Sequence, residues 1–285
     1  MNVSDFVTGT FQSSIRIMVH TAESARNPKD VEALHDFRVG LRKLRSHIRS
    51  FESVLGPKWV GHQKDRLEWL DSYLRPVRDG DVLIARLQSD VSEMHEELDQ
   101  EAVRSLKLSL AVKGQRDRAR LKLAMDSQIF AELMEDLNSW NSNIISFRKE
   151  PRVLENWLKE LGRQSRKEIF SIASNISDSS SDHELHKLRI KSKRARYLAE
   201  ASVPVLGQKA KKRAKEYESI QTLLGGYQDS FVMSQWLDAQ SRLGSEHVAA
   251  VTQILDWEHA CRATLRVGWL TLWSGIENGI SENSE

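Results

Sequence analysis

The feature that most constrains the fold is an eleven-residue stretch that occurs twice. The first copy, residues 35–45, reads HDFRVGLRKLR, and the second, residues 186–196, reads HKLRIKSKRAR. Proline is absent from both copies, and glycine occurs only at Gly40. Both stretches are therefore predicted to be helical, and their recurrence 151 positions apart predicts two related halves of the chain.

Each copy places basic side chains on one helix face and apolar side chains on the opposite face. The basic stripes are His35, Arg38, Arg42, Arg45 and Arg49 in the first copy, and His186, Arg189, Lys193 and Arg196 in the second. A solvated charged face is the ordinary interpretation of one such helix. Here the face has one sign of charge, lacks Glu partners at i+4 and recurs in register. We therefore predict an anion-binding face, because its like charges repel one another until an anion is bound.

Composition limits the remaining possibilities. Only 14 Gly and 5 Pro occur in 285 residues, which predicts long helices with short connections. The formal net charge is only +2, so a basic site requires segregation of charge along the chain. The single Cys261 excludes an internal disulfide and fits a reducing compartment. Without a signal-peptide pattern or about 18 consecutive apolar residues, a cytoplasmic protein with no membrane span is expected.

Proline and glycine are expected to end several of the helices. Pro76 and Pro204 should each stop a helix, and Gly225-Gly226 should break another. Asp79 and Asp229, 150 positions apart, are then expected to cap the helices that follow. An ion pair with an arginine of the basic stripes is the alternative role for these two carboxylates.

The predicted fold is all-α, with two pseudo-twofold-related antiparallel helical bundles around a central basic groove. Glu150-Pro151 is the predicted boundary, giving repeats at 1–150 and 151–285. A twofold brings equivalent faces together, so the two basic stripes are expected to line one shared groove. No sustained alternation of apolar and polar residues predicts a strand.

The doubled His-x-x-Arg-x-x-x-(Arg/Lys)-x-x-Arg pattern resembles the CHAD family, the conserved histidine α-helical domain. Residues 77–82, VRDGDV, are similar to the family's Arg-Asp-x-Asp turn. Residues 221–229, QTLLGGYQD, resemble its Gln-x-x-Leu-Gly-x-x-Gln-Asp signature, and residues 188–197 resemble its second-half "LRI…RxRY" run. The resemblance extends from about Phe6 to Ile276. Ser192 and Ala195 depart from it by making the second apolar stripe smaller than usual.

Membership in this family implies a basic central cavity that binds inorganic polyphosphate, with no cofactor and no metal. Some family members sit on polyphosphate granules, and others are fused to a CYTH triphosphatase domain. The Glu-x-Glu-x-Lys signature of that domain is not found here, so the chain resembles a stand-alone, non-catalytic binding module. The predicted binding set is the two stripes together with Lys43 and Arg194. Arg116, Arg120, Arg262 and Arg266 are secondary candidates, for which a solvated helix face is the favoured alternative.

The histidines at the start of each stripe have two open interpretations. Between rows of cations, His35 and His186 should be mostly neutral in the empty site, and bound phosphate should favour their protonated form. A structural hydrogen bond to a neighbouring helix is the alternative.

The sequence leaves three alternatives to polyphosphate binding. A metal-dependent phosphohydrolase is suggested by the His35-Asp36 pair, but Asp36 becomes Lys187 in the repeat and no ligand set is recognisable. A nucleic-acid binder using phosphate contacts is physically close, although exposed aromatic residues and a recognition helix are missing from the pattern. A helical scaffold for acidic protein partners is the third alternative.

Overall fold

The computed structural model describes residues 1–27, 30–94, 98–141, 144–148, 151–177, 180–241 and 248–281. These residues are overwhelmingly α-helical, which confirms the predicted fold class. The helices are α1 (Val3–Thr21), α2 (Val31–Ser50), α3 (Pro57–Glu93), α4 (Gln100–Met125), α5 (Gln128–Ser139), α6 (Leu154–Ala173), α7 (Asp182–Ser241) and α8 (Val248–Ser281). No β-strand occurs in these ranges, where Leu55 and Phe147 form one isolated antiparallel bridge. None of the helices, over the same ranges, is long and apolar enough to cross a bilayer.

Two of the predicted helix ends are wrong, because Pro76 lies inside α3 and Gly225-Gly226 lies inside α7. The stop predicted at Pro204 falls three residues before Gly207, where the helix of the second basic stripe does break. Asp79 and Asp229 are consequently mid-helix residues and cap nothing. Proline and glycine weaken a helix locally, but buried neighbours on either side stabilise it through tertiary packing.

Burial next to these breakers shows the effect. Leu74 and Val77 flank Pro76 and are almost completely buried, as are Leu224 and Tyr227 around the glycine pair. Within α7 the backbone leaves helical geometry at Gly207, where φ is 60° and ψ is −139°. Glycine adopts this positive φ without a steric penalty, so the direction of α7 changes at that residue.

The chain divides into two compact units, each drawn from three segments. The first unit contains residues 1–77, 116–165 and 194–214, and the second contains residues 78–115, 166–193 and 215–285. Helices α3, α4, α6 and α7 each contribute residues to both units. The proposed boundary at Glu150-Pro151 includes Glu150, which lies outside the described residues, and the division into repeats at 1–150 and 151–285 stays a prediction.

The apolar face of α2 anchors this helix in the core of the first unit. Phe37, Leu41 and Leu44 are buried, and Asp30 caps the helix by accepting a hydrogen bond from the Ala33 amide at 3.0 Å. The core they enter is rich in aromatic side chains from α1 and the later helices; the largest are Phe11, Phe51, Phe130 and Trp140. Because one face of α2 is buried in this core, its basic face is left toward solvent.

Gly40 sets how closely α1 can approach α2. A Cβ atom built at this position would lie 2.7 Å from Met18 Cγ and 3.0 Å from the Ser14 carbonyl oxygen. The absence of a side chain at Gly40 is therefore a packing requirement of this helix pair.

The second unit contains a buried apolar cluster with an ionic group beside it. The cluster joins α3, α4, α7 and α8 and comprises Leu83, Leu87, Leu98, Val103, Leu106, Leu110, Met233, Leu237, Val251 and Ile254. Beside it, the Arg86 guanidinium donates two hydrogen bonds to the Glu258 carboxylate, at 2.8 and 2.9 Å. Arg86 Nε also lies 3.3 Å from the Asp90 carboxylate.

Candidate anion-binding site

The basic face of α2 supplies the largest set of candidate residues in the first unit. His35 and Arg49 are exposed, and the four cations between them are partly buried, namely Arg38, Arg42, Lys43 and Arg45. Their stems lie along the flank of the apolar stripe, while the charged ends face outward.

A second basic segment packs against α2 within the same unit. Arg194 Nη2, on α7, donates a hydrogen bond to the carbonyl oxygen of Arg49 at 3.2 Å. His47 Nε2 lies 3.4 Å from the carbonyl oxygen of Tyr197, three residues further along α7. Two segments about 145 residues apart in sequence thus meet side by side, and both carry cations.

His47 connects these helices from inside the core. Its ring is buried, stacks on Phe51 with centroids 6.0 Å apart, and has Nδ1 3.4 Å from Ser14 Oγ. Burial lowers the pKa of His47 to about 4, since the charged form cannot be solvated there. The residue is therefore neutral at physiological pH and acts as a structural link under the basic face.

Tyr197 is a part of the site that sequence reasoning assigned to the family motif without giving it a role. The Arg42 guanidinium carbon lies 6.0 Å and the Lys43 ammonium 5.9 Å from the centre of its ring. A ring face attracts cations without neutralising them, so Tyr197 can gather two positive charges while leaving them available to an anion. The sequence feature that could have identified this role is the position of Tyr197 directly after Arg196, at the end of the basic residues 188–197.

Several of the candidate cations already face carboxylates. Arg45 forms ion pairs with Glu68 and Asp71 of α3, and Arg196 Nε donates to Glu200 Oε1 at 2.7 Å. Arg196 therefore has a Glu partner at i+4, namely Glu200, and the prediction that the stripes lack such partners is wrong for this residue. The pairing of Arg45 involves residues more than 20 positions away, which helix periodicity cannot reveal.

The carboxylate cluster on α3 is charged. Burial alone would raise the pKa of Asp71, but the hydrogen bond from Arg75 and the charge of Arg45 hold this pKa below its ordinary value. Arg75 contacts Glu68 as well, at 3.0 Å. Arg45 is therefore partly neutralised, and the more available positive charge of α2 lies at Arg42 and Arg49. In the described part of the chain, Arg42 Nε is buried without a hydrogen-bond acceptor.

A small cleft opens next to this face, between α2 and α3. Its volume is about 160 Å³, and it is lined by Arg45, Ile48, Arg49, Lys64, Asp65, Leu67 and Glu68. The lining contains three cations, two carboxylates and two apolar side chains. A small anionic group would therefore be attracted only to the part of the cleft formed by the cations.

The second unit contains the first part of the other stripe. His186 Nδ1 lies 2.6 Å from Gln228 Oε1, so His186 has the structural hydrogen bond that the alternative interpretation expected, here to a later stretch of α7. Arg189 and Lys193 are partly buried. Burial raises the pKa of Asp229, and the positive charges of Arg78 and Arg189 oppose that rise.

Asp79 and Asp229 both lie near Arg78, which belongs to neither basic stripe, so these contacts differ from the ion pair with a stripe arginine that was the alternative to capping. Arg78 Nη1 lies 3.3 Å from Asp79 Oδ1, and Arg78 Nη2 lies 3.8 Å from Asp229 Oδ1. Both contacts are within the second unit.

The secondary candidates lie elsewhere. Arg116 and Arg120 are exposed on α4, and no hydrogen bond or ion pair between described residues joins either of them to α2 or α7. Their part in binding stays a prediction. Over the described ranges, no three His, Cys, Asp or Glu side chains lie together so that they could hold a metal ion.

Comparison with known proteins gives one consistent result. The family model for the CHAD domain matches residues 10–238. Two curated relatives, the uncharacterized proteins MT2285 and Rv2226 of Mycobacterium tuberculosis strains CDC 1551 / Oshkosh and ATCC 25618 / H37Rv, are each 29% identical over 218 residues. Those matches cover 74% of this chain and 40% of each relative, so the chain spans about two fifths of their length.

Two solved structures share the fold. The CHAD domain of the plant Ricinus communis superposes with a TM-score of 0.78 at 21% identity, covering 97% of this chain and 92% of that chain. PptA from Streptomyces chartreusis superposes with a TM-score of 0.78 at 17% identity, covering 96% of this chain and all of that chain. At these identities the superpositions establish the architecture and leave the ligand open.

Proposed function

Because the chain belongs to the CHAD domain family, we propose that it binds inorganic polyphosphate and does not cleave it. The observation that carries this proposal is the meeting of two cationic segments in the first unit, where Arg194 of α7 donates to the Arg49 carbonyl of α2. The binding surface we propose there comprises Arg38, Arg42, Lys43, Arg45, Arg49, Arg194 and Arg196. His186, Arg189 and Lys193 belong to the second unit, and their part in binding stays a prediction.

The chemistry of the ligand fits such a surface. Polyphosphate is a flexible chain with about one negative charge per internal phosphate, and it offers only oxygen acceptors. Arginine suits it because the planar guanidinium bridges two phosphate oxygens and stays charged in any surroundings. At Arg42 the guanidinium carbon lies 6.0 Å from the centre of the Tyr197 ring, and this contact leaves the positive charge available to a phosphate because the ring does not neutralise it.

Titration calorimetry with long-chain polyphosphate tests the proposal. Binding should be tight and should weaken steeply as salt rises, because several cations are neutralised together. Pyrophosphate and duplex DNA serve as comparators. Weak binding of both would support a site adapted to a long, narrow anion. Equal affinity for DNA would instead indicate a general polyanion surface, and absence of binding would contradict the proposal.

A double variant locates the site. Arg42→Ala with Arg194→Ala removes one cation from each of the two segments that meet in the first unit and should weaken polyphosphate binding at least about tenfold, given typical energies of charge-assisted hydrogen bonds. The matched control is Lys159→Ala with Arg163→Ala, which removes two exposed cations from α6. Circular dichroism should show both variants folded. Equal loss of binding in the two variants would mean that only net charge matters and would refute the site.

A further inference from the structure

Glu200 is a carboxylate built into the cationic surface of the first unit. It accepts a hydrogen bond from Arg196 Nε at 2.7 Å and lies 3.6 Å from Lys43 Nζ, so it bridges a cation of α7 and a cation of α2. Its side chain is 31% exposed, which keeps it within reach of an incoming ligand.

Cations of both helices lie near Glu200. Glu200 contacts Lys43 and Arg196 directly, while Lys43 and Arg42 lie over the ring of Tyr197, three residues before Glu200, and Arg194 packs on α2. Glu200 relieves the repulsion between Lys43 and Arg196 in the empty protein, and it occupies the position that a phosphate would otherwise take between them.

Building on the polyphosphate-binding function proposed above, we propose that Glu200 is a specificity residue, an internal anion that favours long polyphosphate over short phosphates. A short phosphate that binds between Lys43 and Arg196 must displace Glu200 or lie beside it against like charge. Its entire affinity comes from that position, so it suffers the full effect.

A long chain is affected less. It can bind the neighbouring Arg42, Arg49 and Arg194 through other phosphates and leave Glu200 in place, or displace it with the support of those contacts. Glu200 therefore weakens the binding of every phosphate ligand to some degree but weakens short ones most, and discrimination by chain length results.

The test compares tripolyphosphate with long-chain polyphosphate by titration calorimetry, using Glu200→Gln, which keeps the shape and removes the charge. We expect the affinity for tripolyphosphate to rise about tenfold, as for the loss of a close like charge at a protein surface, and the affinity for the long chain to rise less than about threefold. Glu160→Gln is the matched control. Glu160 forms an i,i+3 ion pair with Arg163 and accepts a hydrogen bond from Gln164, both on α6, so this variant should change neither affinity.

Each outcome separates this inference from the proposed function. If the wild-type protein binds the long chain and Glu200→Gln changes nothing, or changes both ligands equally, Glu200 does not set specificity although the proposed function stands. Binding of neither ligand by the wild type would overturn the proposed function itself. Glu200→Ala repeats the measurement, with thermal unfolding as a check. Loss of the folded state in both variants would show that the carboxylate is structural and would refute the inference.

Discussion

Asp90 of α3 shares a buried site with Glu258 and Arg86, and this arrangement makes the stability of the protein depend on pH. The Asp90 and Glu258 side chains are 2% and 0% exposed. One guanidinium can balance one carboxylate, and Arg86 binds Glu258 with two hydrogen bonds. Burial, together with a hydrogen bond to Glu258 and its negative charge, raises the pKa of Asp90 to about 8. The Asp90 carboxyl is therefore protonated in the folded protein at neutral pH.

The direction of the effect follows from proton linkage. In the unfolded chain Asp90 has an ordinary pKa near 4, so the folded state binds the proton more tightly. The resulting stabilisation is complete below about pH 4 and is lost as the pH rises toward 8. Each extra proton bound by the folded state corresponds to about 1.4 kcal/mol per pH unit. Because the Asp90 and Glu258 carboxyl groups share the change in proton affinity, we expect this site to lower the free energy of unfolding by about 1–3 kcal/mol between pH 5 and pH 7.

Asp90→Asn isolates this contribution. The neutral amide has the shape of the protonated carboxyl and can donate a hydrogen bond to Glu258. The free energy of unfolding of the variant should equal that of the wild type near pH 4 and exceed it by about 1–3 kcal/mol at pH 7. Urea unfolding followed by circular dichroism from pH 4 to pH 8 gives both curves. Asp256→Asn, at an exposed position of α8, is the control for simple loss of charge. A variant that is less stable than the wild type at pH 7 would refute the reasoning.

Two further predictions concern packing and a buried histidine. Gly40→Ala should destabilise the protein by about 1–3 kcal/mol, because the new Cβ would lie 2.7 Å from Met18 Cγ. The control is Gly61→Ala on α3, where nothing lies within 4 Å of the new Cβ, and this variant should be neutral or stabilising. Urea unfolding compares the two variants, and equal effects on stability would contradict the close approach of α1 to α2. The stability contributed by neutral His47 should be complete above about pH 6.5 and lost as the pH falls toward 4, because its folded pKa is lowered. The difference in the free energy of unfolding between the wild type and His47→Gln should therefore shift in favour of the wild type as the pH rises from 4 to 6.5, and a constant difference would mean that His47 is not the group responsible.

Helix patterning placed the basic side chains of α2 correctly, because its evidence was local. The spacing of Arg38, Arg42 and Arg45 places their side chains on one face of any helix, whatever surrounds it. The i+4 partner Glu200 was also a local feature, visible in the sequence, and it was overlooked. The position of Tyr197 between the two basic segments was not local, since it depends on how α7 packs against α2.

The incorrect helix ends have a common physical cause. Intrinsic helix propensity favours a break at Pro76 and at Gly225-Gly226, because continuing the helix through either position costs a few kcal/mol at most. Burial of Leu74, Val77 and Leu224 contributes stabilisation of comparable or greater size, about 1.5–3 kcal/mol for each large side chain, and therefore keeps the chain helical at Pro76 and at Gly225-Gly226.

The amino-acid sequence by itself determined the all-α class and the one-signed basic face of α2, because both follow from periodicity within a few helical turns. Only the tertiary structure decided which cations are available. It pairs Arg45 with Glu68 and Asp71 of another helix and brings Arg194 against Arg49. The reason is that electrostatic partners are chosen by distance in space, and distances between residues far apart in the chain are set by core packing.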